Sequence, residues 1–240
     1  MEKIILVHGA WHNASCWEGV IKALKEKGYE AEAVTLAGNG PEDDRKGITY
    51  EQAIKPLVEK LEEQPEPAVL VGHSSAGHVI QMTAPKVADK IGKIVFNNAW
   101  ILPQGKSQFD MIPDQEMAMG IKQMALATPD HSIPLMEDFI RGALASGVSE
   151  EEQNRLISHL VPQPLALFDT PIEANAFAQL ETPRVLLYCT EDLSLPPGAF
   201  VGMFQSLGEA PVVELQGSHE ALFFQPETYA EALIQCIKTV

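Results

Sequence analysis

The stretch Val71-Gly72-His73-Ser74-Ser75-Ala76-Gly77-His78 constrains this chain more than any other. Ahead of it, Ala68-Val69-Leu70-Val71 is apolar and β-branched enough for a buried strand; behind it, Val79-Ile80-Gln81-Met82-Thr83-Ala84 has helical spacing. The order is strand, sharp turn, helix. A serine at such a turn is forced into a cramped backbone conformation that lifts its hydroxyl off the sheet edge. The turn closes only when the residues two before and two after it are small. Ser74 meets that demand with Gly72 and Ala76, whereas Ser75 would place the His73 imidazole at the crowded position. Ser74 is therefore the expected nucleophile. Ala76 stands where the strict G-x-S-x-G pattern has glycine, so the plain alternative is an ordinary strand-to-helix turn with Ser75 as the helix cap.

Composition bounds what surrounds that turn. A chain of 240 residues, 45% of them hydrophobic, holds one large α/β domain or a core domain with an insertion. Its 33 acids against 17 bases give a net charge of −16, a field that repels a phosphate backbone and argues against a nucleic-acid partner. The three cysteines, Cys16, Cys189 and Cys236, are an odd set without C-x-x-C spacing. They fit buried thiols in a reducing compartment, and they suggest no zinc site. The apolar run Ile4 to Val7 is too short for a secretory signal, and no stretch approaches the roughly 18 apolar residues of a membrane span. The expectation is a soluble, cytoplasmic protein without a membrane partner. Oligomeric state is not fixed by the sequence, and a homodimer is one arrangement it allows.

Strands are expected at Lys3 to Val7, Glu30 to Leu36, Ala68 to Val71, Lys93 to Asn97, Arg184 to Cys189 and Val212 to Leu215. Helices are expected at Trp17 to Lys27, stopped by Gly28; at Thr49 to Glu63, with Ile54, Leu57, Val58 and Leu61 facing the sheet; and at Pro226 to Lys238. The helix after Ser74 should run on towards Asp89. The loop Ala37 to Asp44 is rich in glycine and acid but lacks the third glycine and the following helix of a dinucleotide fingerprint, so no cofactor is expected. Alternating strands and helices predict an α/β fold with a six-stranded, mostly parallel sheet flanked by helices. From Leu102 to Glu181 the rhythm breaks into short helical stretches rich in proline and methionine, including Met111, Met117, Met119, Met124 and Met136. This reads as an inserted lid, residues 102–181, on a core of residues 1–101 and 182–240. Methionine is flexible and polarisable, which suits an apolar cavity of adaptable shape.

Chain order adds a constellation to the turn. Asp192 lies just past the fifth expected strand and His219 just past the sixth, and of the seven histidines only His219 follows both serine and acid. A parallel sheet would bring both loops to the carboxyl edge where Ser74 sits. Glu191 is the other carboxylate that loop offers. In acyl transfer, His219 would take the Ser74 proton and Asp192 would fix the imidazole tautomer. Oxyanion donors would be the backbone N–H groups of Ser75, at a helix start, and of Ala10, in the loop after the first strand. His8 should hydrogen-bond within that loop and hold Ala10 in place. His12 and His73 either line the pocket or are satisfied locally, and Trp11 and Trp100 are expected pocket residues.

The segments LVHGAWHNASCW, TLAGNG, LVGHSSAGHVI, VFNNAW, YCTEDLSLP and GSHEALFFQPE together resemble the α/β-hydrolase superfamily. More narrowly, they are similar to the group of plant methylesterases, hydroxynitrile lyases and bacterial relatives. The resemblance covers about two thirds of the chain and is weakest in the expected lid. It implies a triad at Ser74, Asp192 and His219 with oxyanion donors at Ala10 and Ser75. Lyases of this group carry a threonine where this chain has Gly9 and a lysine beside the histidine where it has Glu220. Glu220 beside His219 would disfavour an anionic leaving group, and Gly9 would leave room for a water or an alkoxy group. The expected activity is therefore a serine carboxylesterase acting on small methyl, short-acyl or aryl esters. The alternatives are cyanohydrin cleavage, lactone or dehalogenation-like chemistry, or a small-molecule receptor on the same fold.

Overall fold

A computed structural model describes residues 2–239. Six strands form one sheet: β1 (Ile4–Val7), β2 (Ala31–Val34), β3 (Ala68–His73), β4 (Ile91–Asn97), β5 (Arg184–Cys189) and β6 (Val212–Leu215). Their spatial order is β2-β1-β3-β4-β5-β6, and every pairing is parallel. Strand order reverses between β1 and β3, so the loops leaving these two neighbours diverge at the carboxyl edge and leave a crevice there.

Parallel strands covered on both faces must be apolar on both, and these alternate strictly between two cores. Ile4, Leu6, Val69, Val71, Val185 and Leu187 face one cluster, where α1 (Glu18–Glu26) and α7 (Pro226–Thr239) contribute Val20, Leu24, Tyr229 and Leu233. Ile5, Val7, Leu70, Ile94, Phe96 and Leu186 face the other. There α2 (Tyr50–Glu62), α3 (Ala76–Thr83) and α6 (Ala199–Gln205) add Leu57, Ile80 and Phe204. Thr49 caps α2 reciprocally with Gln52, and Ile54, Leu57 and Leu61 are buried as its spacing implies, with Val58 half-buried. The helix after Ser74 is shorter than expected. It ends at Thr83 and continues as two 3-10 turns, Ala84–Lys86 and Ala88–Lys90, because Pro85 has no N–H to extend the ladder.

Between β4 and β5 the chain makes α4 (Gln115–Ala127), α5 (Glu150–Ile157), several single turns and a two-residue antiparallel ribbon of Ser132–Ile133 with Gln163–Pro164. Its apolar side chains join the cores of the sheet: Phe109, Ile121, Leu156 and Phe168 in one, Leu167, Ile172 and Phe177 in the other. The methionines do not all face a cavity. Met117 and Met136 line one, but Met119 is 61% and Met124 44% exposed, on turns of α4 that face away from the core. Among the described residues no helix is long and apolar enough to cross a membrane, and the three cysteines are buried and unpaired.

At the start of α3 the helix backbone crosses the chain leaving β4 with no space to spare. A Cβ on Gly77 would lie 2.4 Å from the carbonyl oxygen of Trp100 and 2.9 Å from its backbone nitrogen. Gly77→Ala should therefore cost about 1–3 kcal/mol, read as a lowered urea midpoint. An unchanged midpoint would contradict this contact.

Candidate active site

Ser74 sits at a φ of +54°, a region that costs a non-glycine residue free energy and persists only where the surroundings enforce it. They do so through the backbone. Ser74 N–H donates to Asn97 O at 3.0 Å, and Ser74 O accepts from the N–H groups of Gly77 and Trp100, each at 3.0 Å. A Cβ on Gly72 would meet Ile80 Cδ1 at 2.4 Å and Ala76 Cβ at 3.2 Å, so the methyl of Ala76 fits because position 72 carries none. The cap expected under the plain alternative is missing: the Ser75 hydroxyl makes no cap hydrogen bond and has no partner among the described residues.

The loops after β5 and β6 bring a carboxylate to an imidazole. His219 Nδ1–H donates to Asp192 Oδ2 at 2.6 Å. Asn98 Nδ2 donates to the same oxygen at 2.5 Å, while Asp192 Oδ1 accepts from Ser194 N–H at 2.8 Å and Ser194 Oγ at 2.6 Å. Burial works against the Asp192 charge, but the His219 cation and these hydrogen bonds outweigh it and bring its carboxyl down to about 2. His219 shifts upward: its burial opposes protonation, and the attraction of Asp192 overcomes it. Glu191 points elsewhere, accepting from Gln216 at the surface, so Asp192 is the carboxylate paired with His219.

The loop after β1 closes the other side. His8 Nδ1–H donates to Gly9 O at 2.8 Å and its Nε2 accepts from Leu36 N–H at 3.1 Å, a neutral imidazole whose pKa burial lowers to about 3. Trp11, at a φ of +62°, donates its N–H to Gln163 Oε1 at 2.9 Å and its indole N–H to Pro134 O at 3.1 Å. The backbone N–H groups of Ala10 and Ser75 find no acceptor among the described residues, and both residues line the same cavity as Ser74 and His219. Gly9 does not leave the room expected of it. A Cβ there would lie 2.8 Å from Ser74 Cβ and 3.2 Å from His73 Cδ2, so the glycine is what lets this loop close onto the serine.

Glu220 also departs from expectation. It is fully buried, with Oε2 3.2 Å from His12 Nε2 and Oε1 3.8 Å from His73 Nε2, although neither pair has hydrogen-bond alignment. Burial opposes its charge and the His12 cation outweighs that, holding the carboxyl well below its usual range; His12 shifts upward in turn as Glu220 overcomes its own desolvation. The bare anion expected beside His219 is thus half of an ion pair. His73 is kept neutral, its pKa lowered first by burial and then by His219, whose ring centroid is 4.5 Å away; its Nδ1 bonds Asn97 Oδ1 at 3.0 Å. His73, His219 and Glu220 each offer a ligand atom within 4.8 Å of the others, the one such trio among the described residues.

The cavity has a volume of about 250 Å³. Ser74, His73, His219 and Glu220 line it on the sheet side, and the expected Trp11 and Trp100 also line it. Phe168, Phe139, Met117 and Ile121, from the segment between β4 and β5, make it apolar.

Over residues 4–232 the sequence matches the alpha/beta hydrolase family. The chain belongs to that family. This alpha/beta hydrolase is 26% identical to the carbendazim hydrolyzing esterase of a Nocardioides species over 97% of its own length and 98% of that protein's. It is 25% identical to methylesterase 2 of Arabidopsis thaliana, covering 97% and 95%. Its structure superposes with a TM-score of 0.92, at 26% identity and over 98% and 99% of the two chains, on an extracellular alpha/beta-hydrolase from a Paenibacillus species. That protein is described as sharing structural and functional homology with tobacco salicylic acid binding protein 2.

Asn98, Ser194 and Gln163 were not singled out from the sequence. The paired asparagines that end β4 were a signal, since a strand end rarely needs two. Asn98, at a φ of +37°, donates to Cys189 O at 3.1 Å and accepts from Cys189 N–H at 2.7 Å while holding Asp192. Asn98→Ala should leave those buried groups unpaired and lower stability by about 1–3 kcal/mol in urea unfolding. A change below about 0.5 kcal/mol would mean the β5 edge is held otherwise.

Proposed function

We propose that this alpha/beta hydrolase is a serine carboxylesterase that cleaves small neutral esters through an acyl-enzyme. The observation that carries the reading is one cavity shared by a strained serine, an imidazole already paired to a carboxylate, and two backbone N–H groups without acceptors. His219 Nε2 takes the Ser74 proton as the oxygen attacks the ester carbonyl. The Ala10 and Ser75 N–H groups receive the oxyanion, and His219 returns the proton to the departing alcohol. A water then repeats the sequence on the acyl group and releases the acid. Asp192 holds the imidazole in the tautomer that keeps Nε2 free to accept. The names of the esterase relatives support this reading. Cyanohydrin cleavage is disfavoured, because departing cyanide needs an uncommitted cation: among the described residues no lysine or arginine lines the cavity, and His12 is already matched to Glu220.

Wild-type protein should hydrolyse p-nitrophenyl acetate, and Ser74→Ala should lower kcat/KM by at least about 10³-fold. Equal rates would exclude Ser74 as nucleophile. Only neutral His219 can accept the proton, and its pKa is raised, so kcat/KM should fall with decreasing pH through a midpoint above the ordinary 6.5. Asp192→Asn removes the group that raises it, so the midpoint should move to lower pH. A midpoint unmoved by Asp192→Asn would separate the acid limb from this pair.

A further inference from the structure

One polar side chain on the insertion side of the cavity has no place in the mechanism above. Gln108 lines the cavity, is only 3% exposed, and stands at the end of a buried hydrogen-bond chain. Tyr50 Oη lies 2.7 Å from His78 Nδ1, and His78 Nε2 lies 2.9 Å from Gln108 Oε1. Donor and acceptor chemistry gives this chain a direction. Burial keeps the Tyr50 phenol protonated, and it has no other partner among the described residues, so its O–H donates to Nδ1. Burial also keeps His78 neutral, lowering its pKa to about 4, so the ring carries a single N–H. With Nδ1 accepting, that N–H is at Nε2 and donates to Gln108 Oε1. The carboxamide oxygen is thereby committed, and its orientation is set.

The Gln108 NH₂ is left over. It has no acceptor among the described residues and keeps some accessible surface, and the residue lines the cavity. Two other polar groups of the lining hold bonds of their own. Asp114 caps α4 through the N–H groups of Glu116 and Met117, and the Trp11 indole is bonded to Pro134. An uncommitted donor in an apolar wall discriminates, because a ligand that cannot accept from it strips its water without replacing the bond. The absence of lysine and arginine from the lining matches a neutral ligand rather than a carboxylate.

We propose that the Gln108 carboxamide is a donor subsite that reads an ether or carbonyl oxygen on a neutral ester, oriented by the His78–Tyr50 chain behind it. This rests on the esterase reading. Two matched ester pairs test it: p-methoxyphenyl acetate against p-ethylphenyl acetate, and methyl p-methoxybenzoate against methyl p-ethylbenzoate. Each pair exchanges an ether oxygen for a methylene, on the alcohol side in one and the acyl side in the other. For the pair that reaches the amide, the methoxy-to-ethyl ratio of kcat/KM should fall roughly tenfold in both Gln108→Met and Gln108→Glu. Gln108→Glu retains the shape and the bond to His78. Tyr50→Phe, whose ring lies outside the cavity, should move the ratio in the same direction by releasing the His78 tautomer. Ratios unchanged in both pairs and both Gln108 variants would overturn the subsite, and an unchanged ratio in Tyr50→Phe alone would overturn the orienting chain. If wild type hydrolyses none of these esters, p-nitrophenyl acetate decides the esterase reading separately, and the same pairs are titrated against wild type by calorimetry. Tighter binding of a methoxy member, lost in Gln108→Met, would still support the subsite; equal affinities would overturn it.

Discussion

The left-handed turn at Ser74 is the constraint on which the rest of the site depends. A serine in that conformation is strained by roughly 1–3 kcal/mol, and nothing in the residue itself favours it. It is held because its N–H and C=O are tied to Asn97, Gly77 and Trp100, and because three neighbouring positions lack side chains. Gly72 admits the methyl of Ala76, Gly77 admits the backbone of Trp100, and Gly9 admits Ser74 itself. The missing Cβ atoms of Gly9 and Gly77 bring one strand's exit loop closer to another's, and that of Gly72 lets the turn after β3 fold back on its own strand. The strain is therefore stored by packing among β1, β3 and β4, and a hydroxyl on an ordinary helix start would not gain it.

Charge is handled by pairing. The chain carries a net charge of −16, yet two carboxylates lie buried beside the serine, where isolated charges would be very costly. Asp192 is matched to His219 and supplied with three further donors; Glu220 is matched to His12. The two pairs differ in use. In the proposed reaction His219 takes the Ser74 proton and returns it, whereas His12 is anchored through Nδ1 to Ala10 O at 2.7 Å. The second pair thus ties the β6 loop to the loop that carries Ala10, and His73 is packed between the imidazoles as a neutral spacer.

Much of this was legible in the sequence because it is local. Each of the six strands carries a short local run of strand-forming residues, and the small residues around Ser74 mark the turn. Chain order and a parallel sheet were enough to bring His219 to the loop that holds Glu191 and Asp192, and the contacts then select Asp192. What was not legible depends on which distant groups touch. Gly9 reads in one dimension as empty space, but the sheet brings Ser74 into that space. Glu220 reads as a bare anion until the fold carries His12 to it from the other end of the chain. Asn98 and Gln163 look like ordinary polar residues, because their partners at Cys189 and Trp11 are far away in sequence. Pro85 is a local signal for the end of α3, although the apolar spacing on either side of it reads as one continuous helix.

The central claim is that one hydroxyl, at Ser74, is activated and its neighbour at Ser75 is not. Treatment with diethyl p-nitrophenyl phosphate, which transfers a phosphoryl group to an activated serine oxygen, addresses it directly through mass spectrometry of the intact and fragmented protein. The account requires a single diethylphosphoryl adduct that forms as ester hydrolysis is lost, with fragment ions assigning it to Ser74. An adduct on Ser75, or full loss of hydrolysis with Ser74 unmodified, would contradict it.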